Sequence, residues 1–534
     1  MSLFQFTKEN KEVLLKRVKH NAFEKYKNLE AKAAEDMLEE MIYWEKKRVQ
    51  KVEPFWRQSQ KLRYWDQFQT SYLSADEDEK KRMLQGSINH YADQIVGNFS
   101  PAIFHVATKL IPSFLNLLMN ALSFQKLFSL KHSLINENLM ISGDIAHLKK
   151  LLNKGTLVLT PTHLSNLDSI LLGTAFYYSG LPPMMYGAGL NLFRNKMMGF
   201  FMNRLGAYKV DRQRIHMLYK DVLKEYATTS LEMGFHNLFF PGGTRSRTGA
   251  VEKKLKLGLL GTTVSAYVRN LQNQKQNPNI YIVPVNLNAH LTLEAETLIN
   301  DFLAITGQSR YIIENDEFSR PQRIFTYLKS HMNFNSKSFV HYGKPLDPFG
   351  NQVDEEGQSM DRHGRYIDIQ RYVMKAGNVI QDSNRDQNYT DALSHQILDA
   401  FHRNNRVLST NLVAFALYEM ILDQNPAYDI YKLLRTYAYH RPISLAGLYQ
   451  KLNGVIAQLK KLEHQGRIIY GKYLDAMDVQ DIVNEALKIF GTYHKRNTVY
   501  RRGDQVFVGD LLLLYYYHNR LIGYNLEDMI RGKS

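Results

Sequence analysis

The chain has 534 residues, which at about 150 residues per domain predicts roughly two to four folding units. Its composition, with 44% hydrophobic and 22% charged residues, excludes a disordered or fibrous chain. The excess of 68 Lys and Arg over 52 Asp and Glu gives a net charge of +16, which favours anionic partners: nucleic acid, anionic lipid or phosphorylated substrates. The chain has no cysteine, so disulfides, thiolate metal sites and a cysteine nucleophile are excluded.

The first 95 residues predict a helical region. Between Asn10 and Lys51, apolar residues recur every three or four positions among charged ones, which indicates a long amphipathic helix or a helical pair. The acidic stretch SADEDEKK, which begins at Ser74, is typical of a solvated linker or a helix start. Because the N-terminus lacks the apolar run and cleavage site of a secretory signal, we expect the protein to face the cytoplasm.

The most apolar stretch of the chain is FHVATKLIPSFLNLLMNALSF, residues 104–124. Polar residues and Pro112 interrupt it, and no window of the chain approaches the roughly 20 consecutive apolar residues that span a bilayer. Two interpretations of this stretch stay open: a helix that lies in a membrane interface, and a helix buried between domains.

Residues 96–350 predict an α/β domain with a mixed, largely parallel sheet and flanking helices, because short β-rich runs alternate with helical stretches. Those runs are TLVLT from 156, MMYGAG from 184, NLFFPGG from 237, IYIVPVNL from 280 and SFVHYG from 338. A polar segment then extends to about Asn388, and helical periodicity follows. Residues 351–534 therefore predict a mainly helical C-terminal domain.

The stretch PTHLSNLDSILLG, residues 161–173, places a histidine and an aspartate where a strand becomes a helix. His163 is expected in the loop and Asp168 in the first helical turn, so the imidazole can fold back over the helix N-terminus. A neutral imidazole takes a proton from a hydroxyl, while a carboxylate fixes its tautomer. In the alternative interpretation Asp168 only caps the helix, because Ser165 and Asp168 have capping-box spacing.

A second stretch, FFPGGTRSRTG at 239–249, combines glycines with two arginines. Glycines let the backbone approach an anion closely, and Arg245 and Arg247 can fork onto phosphate oxygens. The alternative is an ordinary basic turn, and the spacing is not that of a nucleotide P-loop. Two further stretches, GFFMNRLGAYKVDR at 199–212 and IYIVPVNLN from 280, indicate core strands with a surface arginine when each is taken alone.

In this order the four stretches resemble the motif blocks of the glycerolipid acyltransferase superfamily: His-x4-Asp, Gly-Phe-Phe ending in Arg, a Gly-Thr-Arg-Ser block, and a strand with Val-Pro. The ordered set is far more specific than any single block. The segments VLSTNLVAFAL at 407–417 and LLLLYYYHNRLIGY at 511–524 are similar to C-terminal segments of the long, membrane-associated glycerol-3-phosphate acyltransferases. The resemblance covers about residues 100–534.

The resemblance implies transfer of a fatty acyl group from acyl-CoA or acyl-carrier protein to the sn-1 hydroxyl of glycerol 3-phosphate, in phospholipid synthesis, without a metal or tightly bound cofactor. It makes His163 the general base and Asp168 its partner. The implied substrate-binding residues, arginines on the phosphate and proline on the acyl side, are Arg204, Gly243, Thr244, Arg245, Ser246, Arg247 and Pro284. We also expect peripheral binding to an anionic membrane surface, on its cytoplasmic face.

Two positions depart from the family pattern. Gly242 stands where the third block normally has Glu, and Asn203 stands where the second usually has a further arginine. Other phosphorylated acceptors, such as dihydroxyacetone phosphate or lysophosphatidate, and a scaffold without turnover therefore remain alternatives. We nevertheless expect turnover, because a Gly242-Gly243 pair can turn its amides toward an anion.

An alternative of a different class is a nucleic-acid binder. Residues 441–470, RPISLAGLYQKLNGVIAQLKKLEHQGRIIY, have a helix-turn-helix-strand order typical of a winged helix. We prefer an accessory domain of the enzyme, because the basic residues are not concentrated on one recognition helix.

Overall fold

The computed structural model describes residues 2–27, 31–53, 55–108, 139–194, 196–306, 322–324, 326, 337–437 and 441–531. Most of the apolar stretch 104–124 lies outside these residues, apart from its first part, since residues 101–108 are helical. Among the helices within these ranges, none has the length and apolar content needed to cross a membrane.

Four helices form the N-terminal region: α1 (Lys8–Lys27), α2 (Ala31–Val52), α3 (Phe55–Ser74) and α4 (Glu77–Ile95). The amphipathic pattern from residue 10 to 51 thus forms a helical pair. The acidic stretch is a helix start, because the Asp76 side chain accepts from the Glu79 amide while the Glu79 side chain accepts from the Asp76 amide. Apolar residues of α1, among them Leu14 and Val18, are buried in the same hydrophobic cluster as Tyr226 of the next domain.

A seven-stranded sheet forms the centre of the next domain, in the order β1-β7-β6-β2-β5-β3-β4. The strands are β1 (Leu139–Gly143), β2 (Gly155–Pro161), β3 (Met185–Gly189), β4 (Ala207–Val210), β5 (Asn237–Leu238), β6 (Asn279–Ala289) and β7 (Ser338–Tyr342). Strands β6, β2, β5, β3 and β4 run in one direction, whereas β7 is antiparallel to β6 and β1 is parallel to β7. The mixed, largely parallel sheet predicted from the sequence is confirmed.

Helices cover both faces of this sheet: α5 (Ile145–Leu151), α6 (Asp168–Ser179), α7 (Lys196–Met202), α8 (Met217–Glu232) and α9 (Leu257–Gln272). The helix α10 (Ala295–Thr306) follows β6 and is buried with the C-terminal helices. Neighbouring strand residues point to opposite faces. Val158 therefore packs in a cluster with Val264 of α9, while Leu159 packs in a cluster with Leu172 of α6. The sheet is buried on both sides, as expected for parallel strands.

The C-terminal region starts with five two-residue strands and continues as helices around a small sheet. The strands are β8 (Gln352–Val353), β9 (Ser359–Met360), β10 (Tyr366–Ile367), β11 (Met374–Lys375) and β12 (Asn378–Val379). They are followed by α11 (Ser383–Arg403), α12 (Ser409–Asp423), α13 (Ile430–Thr436), β13 (Ile443–Ser444), α14 (Leu445–His464), α15 (Gly471–Asp475), α16 (Val479–Phe490), β14 (Val499–Arg502), β15 (Gln505–Val508), α17 (Leu511–His518) and α18 (Asp528–Arg531).

The order β13, α14, α16, β14, β15, with β15 in the middle of the small sheet, is typical of a winged helix. The helix in the recognition position, α16, carries Asp481 and Glu485, and it buries Ile482 and Val483 in a cluster shared with α12. A recognition helix needs cations and a free face to approach phosphates. The features of α16 therefore favour a structural role for this unit.

The C-terminal helices share their hydrophobic cluster with the sheet domain. Leu167 and Leu291 belong to the same cluster as Val413 and Leu513. At the end of β6, the Asn288 amide donates to Oδ1 of Asn405 at 2.9 Å. The C-terminal region thus packs directly beside the loops that follow the parallel strands.

Candidate active site

His163 and Asp168 come together in the loop between β2 and α6. Nδ1 of His163 lies 2.9 Å from Oδ2 of Asp168. The same carboxylate oxygen accepts from the amides of Leu164 at 2.7 Å and Ser165 at 2.9 Å. Asp168 therefore satisfies loop amides and binds the imidazole at once. The capping interpretation is not realised, because the helix has Leu167 at its N-cap without a side-chain cap hydrogen bond, and the amides that Asp168 binds precede the helix.

The contact with Asp168 decides which nitrogen of His163 is available for chemistry. A carboxylate at Nδ1 favours the tautomer with its proton there, which leaves the Nε2 lone pair free to take a proton. The Phe240 ring stacks on the imidazole, with 4.0 Å between ring centroids. Burial lowers the pKa of His163, Asp168 opposes that shift, and Arg245 and Arg212 add to it. The imidazole is thus neutral at neutral pH, as a base requires.

Two carboxylates from distant parts of the chain hold this loop: Glu294, which is buried, and Glu252, which is half-buried. Glu294 accepts from the Ser165 hydroxyl at 2.7 Å and from the Asn166 amide at 3.1 Å. Glu252 accepts from the amide of His163 at 2.9 Å. Sequence reasoning missed both glutamates, because neither belongs to a local pattern and Glu252 lies 89 positions after the histidine.

The arginine loop, residues 241–249, follows β5 and packs against the histidine loop. The amide of Ser246 donates to the carbonyl of His163 at 2.7 Å, and the Ser246 hydroxyl donates to the carbonyl of Ala250 at 2.8 Å. Gly243 has a φ of 77°, a left-handed conformation that favours glycine, and Thr244 is exposed. The loop is therefore a fixed turn whose position depends on the backbone of the base.

Arginine side chains gather beside His163. Nη1 of Arg245 lies 3.2 Å from Glu294, and Nε of Arg247 lies 2.5 Å from Asp301. Arg212 follows β4 and its side chain is exposed; partial desolvation by the surrounding protein, then Arg245 and Arg247, lower its pKa. It has no hydrogen bond or ion pair with any residue that the structure describes. An anion placed among these guanidinium groups would relieve their repulsion.

Arg204 and Pro284 are not brought into this group. Arg204 precedes β4, so it lies at the amino-terminal edge of the parallel strands, where its guanidinium covers the Phe200 ring at 4.1 Å. Pro284 is buried inside β6, opposite Thr160 of β2. Sequence reasoning chose Arg204 over Arg212, although a cation directly after a parallel strand lies at the edge where α/β proteins bind ligands.

The C-terminal segment 511–524 forms one wall of the site. The Asn519 amide donates to the carbonyl of Thr248 at 3.0 Å. Gly249 packs so tightly on Tyr516 that a Cβ there would lie 2.2 Å from the Tyr516 carbonyl oxygen. Arg520 is buried and donates from Nη2 to the carbonyl of Leu287 at 2.9 Å. The arginine loop thus lies between the histidine loop on one side and the C-terminal segment 511–524 on the other.

A base with a fixed tautomer beside a cation cluster is suited to deprotonating a hydroxyl on an anionic substrate. Among the residues that the structure describes, no group of three or more His, Asp and Glu side chains is arranged to hold a metal ion.

Residues 144–288, which contain the histidine loop and the arginine loop, match the family model described as Acyltransferase. The chain is also similar to curated proteins named glycerol-3-phosphate acyltransferase: it is 27% identical over 277 residues to that of Pseudoalteromonas translucida and 28% identical over 275 residues to that of Aeromonas hydrophila. Each match covers 51% of this chain but only 30% of the relative, so the chain matches about a third of the length of these relatives. The resemblance to this family is confirmed.

The pKa of His163 gives a test that needs no substrate. In the protein with labelled histidine, the His163 signal, assigned by its loss in His163→Ala, is expected to titrate below 6.5 because burial disfavours the charged ring. Asp168→Asn removes the partner that raises the pKa, so the midpoint should fall further. A midpoint above 6.5, or an upward move in Asp168→Asn, would contradict the assigned environment.

Proposed function

We propose that this protein transfers a fatty acyl group from an acyl thioester, acyl-CoA or acyl-carrier protein, to the sn-1 hydroxyl of glycerol 3-phosphate. The observation that carries the proposal is the neutral imidazole of His163, fixed by Asp168 at 2.9 Å, beside the cluster of Arg212, Arg245 and Arg247. The first part supplies a base for an alcohol, and the second supplies cations for a phosphate dianion. The names of the relatives support glycerol 3-phosphate as the acceptor.

In the proposed reaction, Nε2 of His163 takes the proton of the acceptor hydroxyl while the hydroxyl oxygen attacks the thioester carbonyl. The tetrahedral intermediate collapses, the C–S bond breaks, and the imidazolium returns the proton to the departing thiolate. Asp168 stabilises the imidazolium between these steps. The products are the acylated acceptor and a free thiol, and the sequence of steps requires no metal or tightly bound cofactor.

The three arginines have different parts in the proposal. Arg245 and Arg247 each have a carboxylate partner, Glu294 and Asp301, which holds its guanidinium in place. Arg212 offers donors that no described residue uses, so it is the arginine most available to a phosphate. Within the arginine loop, Gly243 and Ser246 maintain the turn and Thr244 faces solvent.

The reaction is tested with purified protein and a long-chain acyl-CoA or acyl-carrier protein, with release of free thiol as the readout. Glycerol 3-phosphate, dihydroxyacetone phosphate and lysophosphatidate are compared as acceptors. We expect glycerol 3-phosphate to be preferred, and His163→Ala to lower kcat by about 10²-fold or more, the usual minimum for a lost general base. Absence of thiol release with every pair, or near-normal turnover in folded His163→Ala, would refute the proposal.

The pH dependence of kcat follows from the lowered pKa of His163. A base whose pKa lies below 6.5 stays neutral down to lower pH, so the acid limb of kcat should have its midpoint below 6.5. In Asp168→Asn, whatever activity remains should show this limb at still lower pH, because the carboxylate raises the pKa. An acid limb at higher pH than in the wild type would contradict this role of Asp168.

The arginine assignment has a matched control. Arg212→Gln should raise the KM for the phosphorylated acceptor by about 10- to 100-fold, as expected for a lost charge-assisted contact, and leave the KM for the donor nearly unchanged. Arg204→Gln removes a similar charge at the opposite edge of the sheet and should change neither KM. Equal effects of the two substitutions would show that overall charge, not the site, is responsible.

We further propose that the protein binds anionic membranes peripherally on their cytoplasmic face, which its net charge of +16 and the lipid product support. In vesicle flotation, we expect binding to anionic vesicles at low salt and its loss as salt screens the attraction. Failure to float with anionic vesicles at low salt would contradict this expectation.

A further inference from the structure

Glu252 is a carboxylate whose surroundings use only one of its oxygens. Oε1 accepts from the His163 amide at 2.9 Å. Oε2 is shielded from solvent and has no hydrogen-bond partner among the residues that the structure describes. Burial raises the pKa of Glu252, while Arg520 and the His163 amide lower it. Glu252 therefore lies against the backbone of His163, where its second oxygen is shielded from water without a hydrogen bond. Such a position is costly for a charge unless the charge is paired.

Gly242 leaves the space that Glu252 occupies. A Cβ added to Gly242 would lie 3.2 Å from Cγ and 3.7 Å from Oε1 of Glu252. The backbone does not require glycine here, since Gly243 has a positive φ of 77° and Gly242 is not among the residues with positive φ. The missing side chain at Gly242 is thus explained by the room that the Glu252 side chain takes.

Arg520 balances this carboxylate from the C-terminal segment. It is 4% exposed, and its Nε and Nη1 have no hydrogen-bond partner within the described part of the chain. Glu252 makes the largest favourable charge interaction of Arg520, whose pKa burial lowers. The half-buried carboxylate of Glu252 and the buried guanidinium of Arg520 are therefore each less costly in the presence of the other.

We propose that Glu252 is a positioning residue for acyl transfer. From the segment that follows the arginine loop it supplies, against the backbone amide of His163, the carboxylate that the related family pattern carries at position 242. This inference rests on the proposed function. It means that the loss at Gly242 is compensated within this chain, and that the carboxylate can be moved from position 252 back to position 242.

The test is an exchange of the two side chains. Glu252→Ala and Gly242→Glu alone should each lower kcat by about 10- to 100-fold, since one removes the support of the His163 backbone and the other crowds two carboxylates into one space. Glu252→Ala/Gly242→Glu should regain turnover to within about tenfold of the wild type, with both KM values nearly unchanged. Glu252→Gln, which keeps an acceptor for the His163 amide, should lose less than Glu252→Ala.

Two matched controls separate this role from general stability. Glu232 is a buried glutamate outside the site, paired with Arg17 at the end of α8, and Glu232→Gln should lower the Tm while leaving kcat unchanged. A Cβ at Gly258 would meet only the end of the Lys224 side chain, at 3.8 Å, so Gly258→Ala should change neither. A loss of kcat in Glu232→Gln as large as in Glu252→Gln would overturn the positioning role.

The exchange can also be followed by the Tm, which does not depend on turnover. A failure of the positioning role can therefore be distinguished from a failure of the proposed function. If the wild type releases no thiol, acyl transfer itself is wrong, but the double variant should still have a higher Tm than Gly242→Glu alone, because the clash is removed. Removal of Arg520 by Arg520→Met should lower the Tm less in the Glu252→Ala background than in the wild type. The proposal is overturned if the double variant is no better than the poorer single variant in both kcat and Tm.

Discussion

The hydrogen bond between His163 and Asp168 is the interaction on which the rest of the site depends. One carboxylate oxygen accepts from the imidazole and from two loop amides, those of Leu164 and Ser165. Because Asp168 is 2% exposed, these donors supply the hydrogen bonds that a buried carboxyl group requires, and they tie the loop backbone to it. The geometry of the loop and the tautomer of the base are therefore set by the same interaction.

Glu294 sets the distance between His163 and the arginine side chains, because it contacts both loops. Glu294 accepts from Ser165 and Asn166 of the histidine loop and pairs with Arg245 of the arginine loop. The Ser246 amide adds a direct bond between the two loops. In the proposed reaction, the base has to lie within hydrogen-bond reach of the hydroxyl while the cations hold the phosphate of the same small molecule. Joining both loops through one buried carboxylate fixes that spacing before any substrate binds.

The sequence predicted those parts of the site that are local. A strand followed by a loop and a helix placed His163 and Asp168 correctly, because capping and periodicity act over a few residues. The choice between Arg204 and Arg212 needed the direction of β4, since residues before and after a strand lie at opposite edges of the sheet. Glu252 and Glu294 needed contacts between distant segments, which no local pattern encodes. Similarly, β5 is only two residues long, because the chain turns away at Phe239 to form the arginine loop.

The same distinction applies to the C-terminal region, whose apolar helices were predicted but whose contact with the site was not. Gly249 has a φ of 78° and touches the Tyr516 carbonyl so closely that any side chain would collide with it. Leu167, one residue before Asp168, is buried in the cluster that contains Leu513. The residue that precedes α6 is therefore buried in the same hydrophobic cluster as residues of α17. Since a packed interior resists small displacements, the C-terminal helices support the position of the histidine loop and belong structurally to the candidate site.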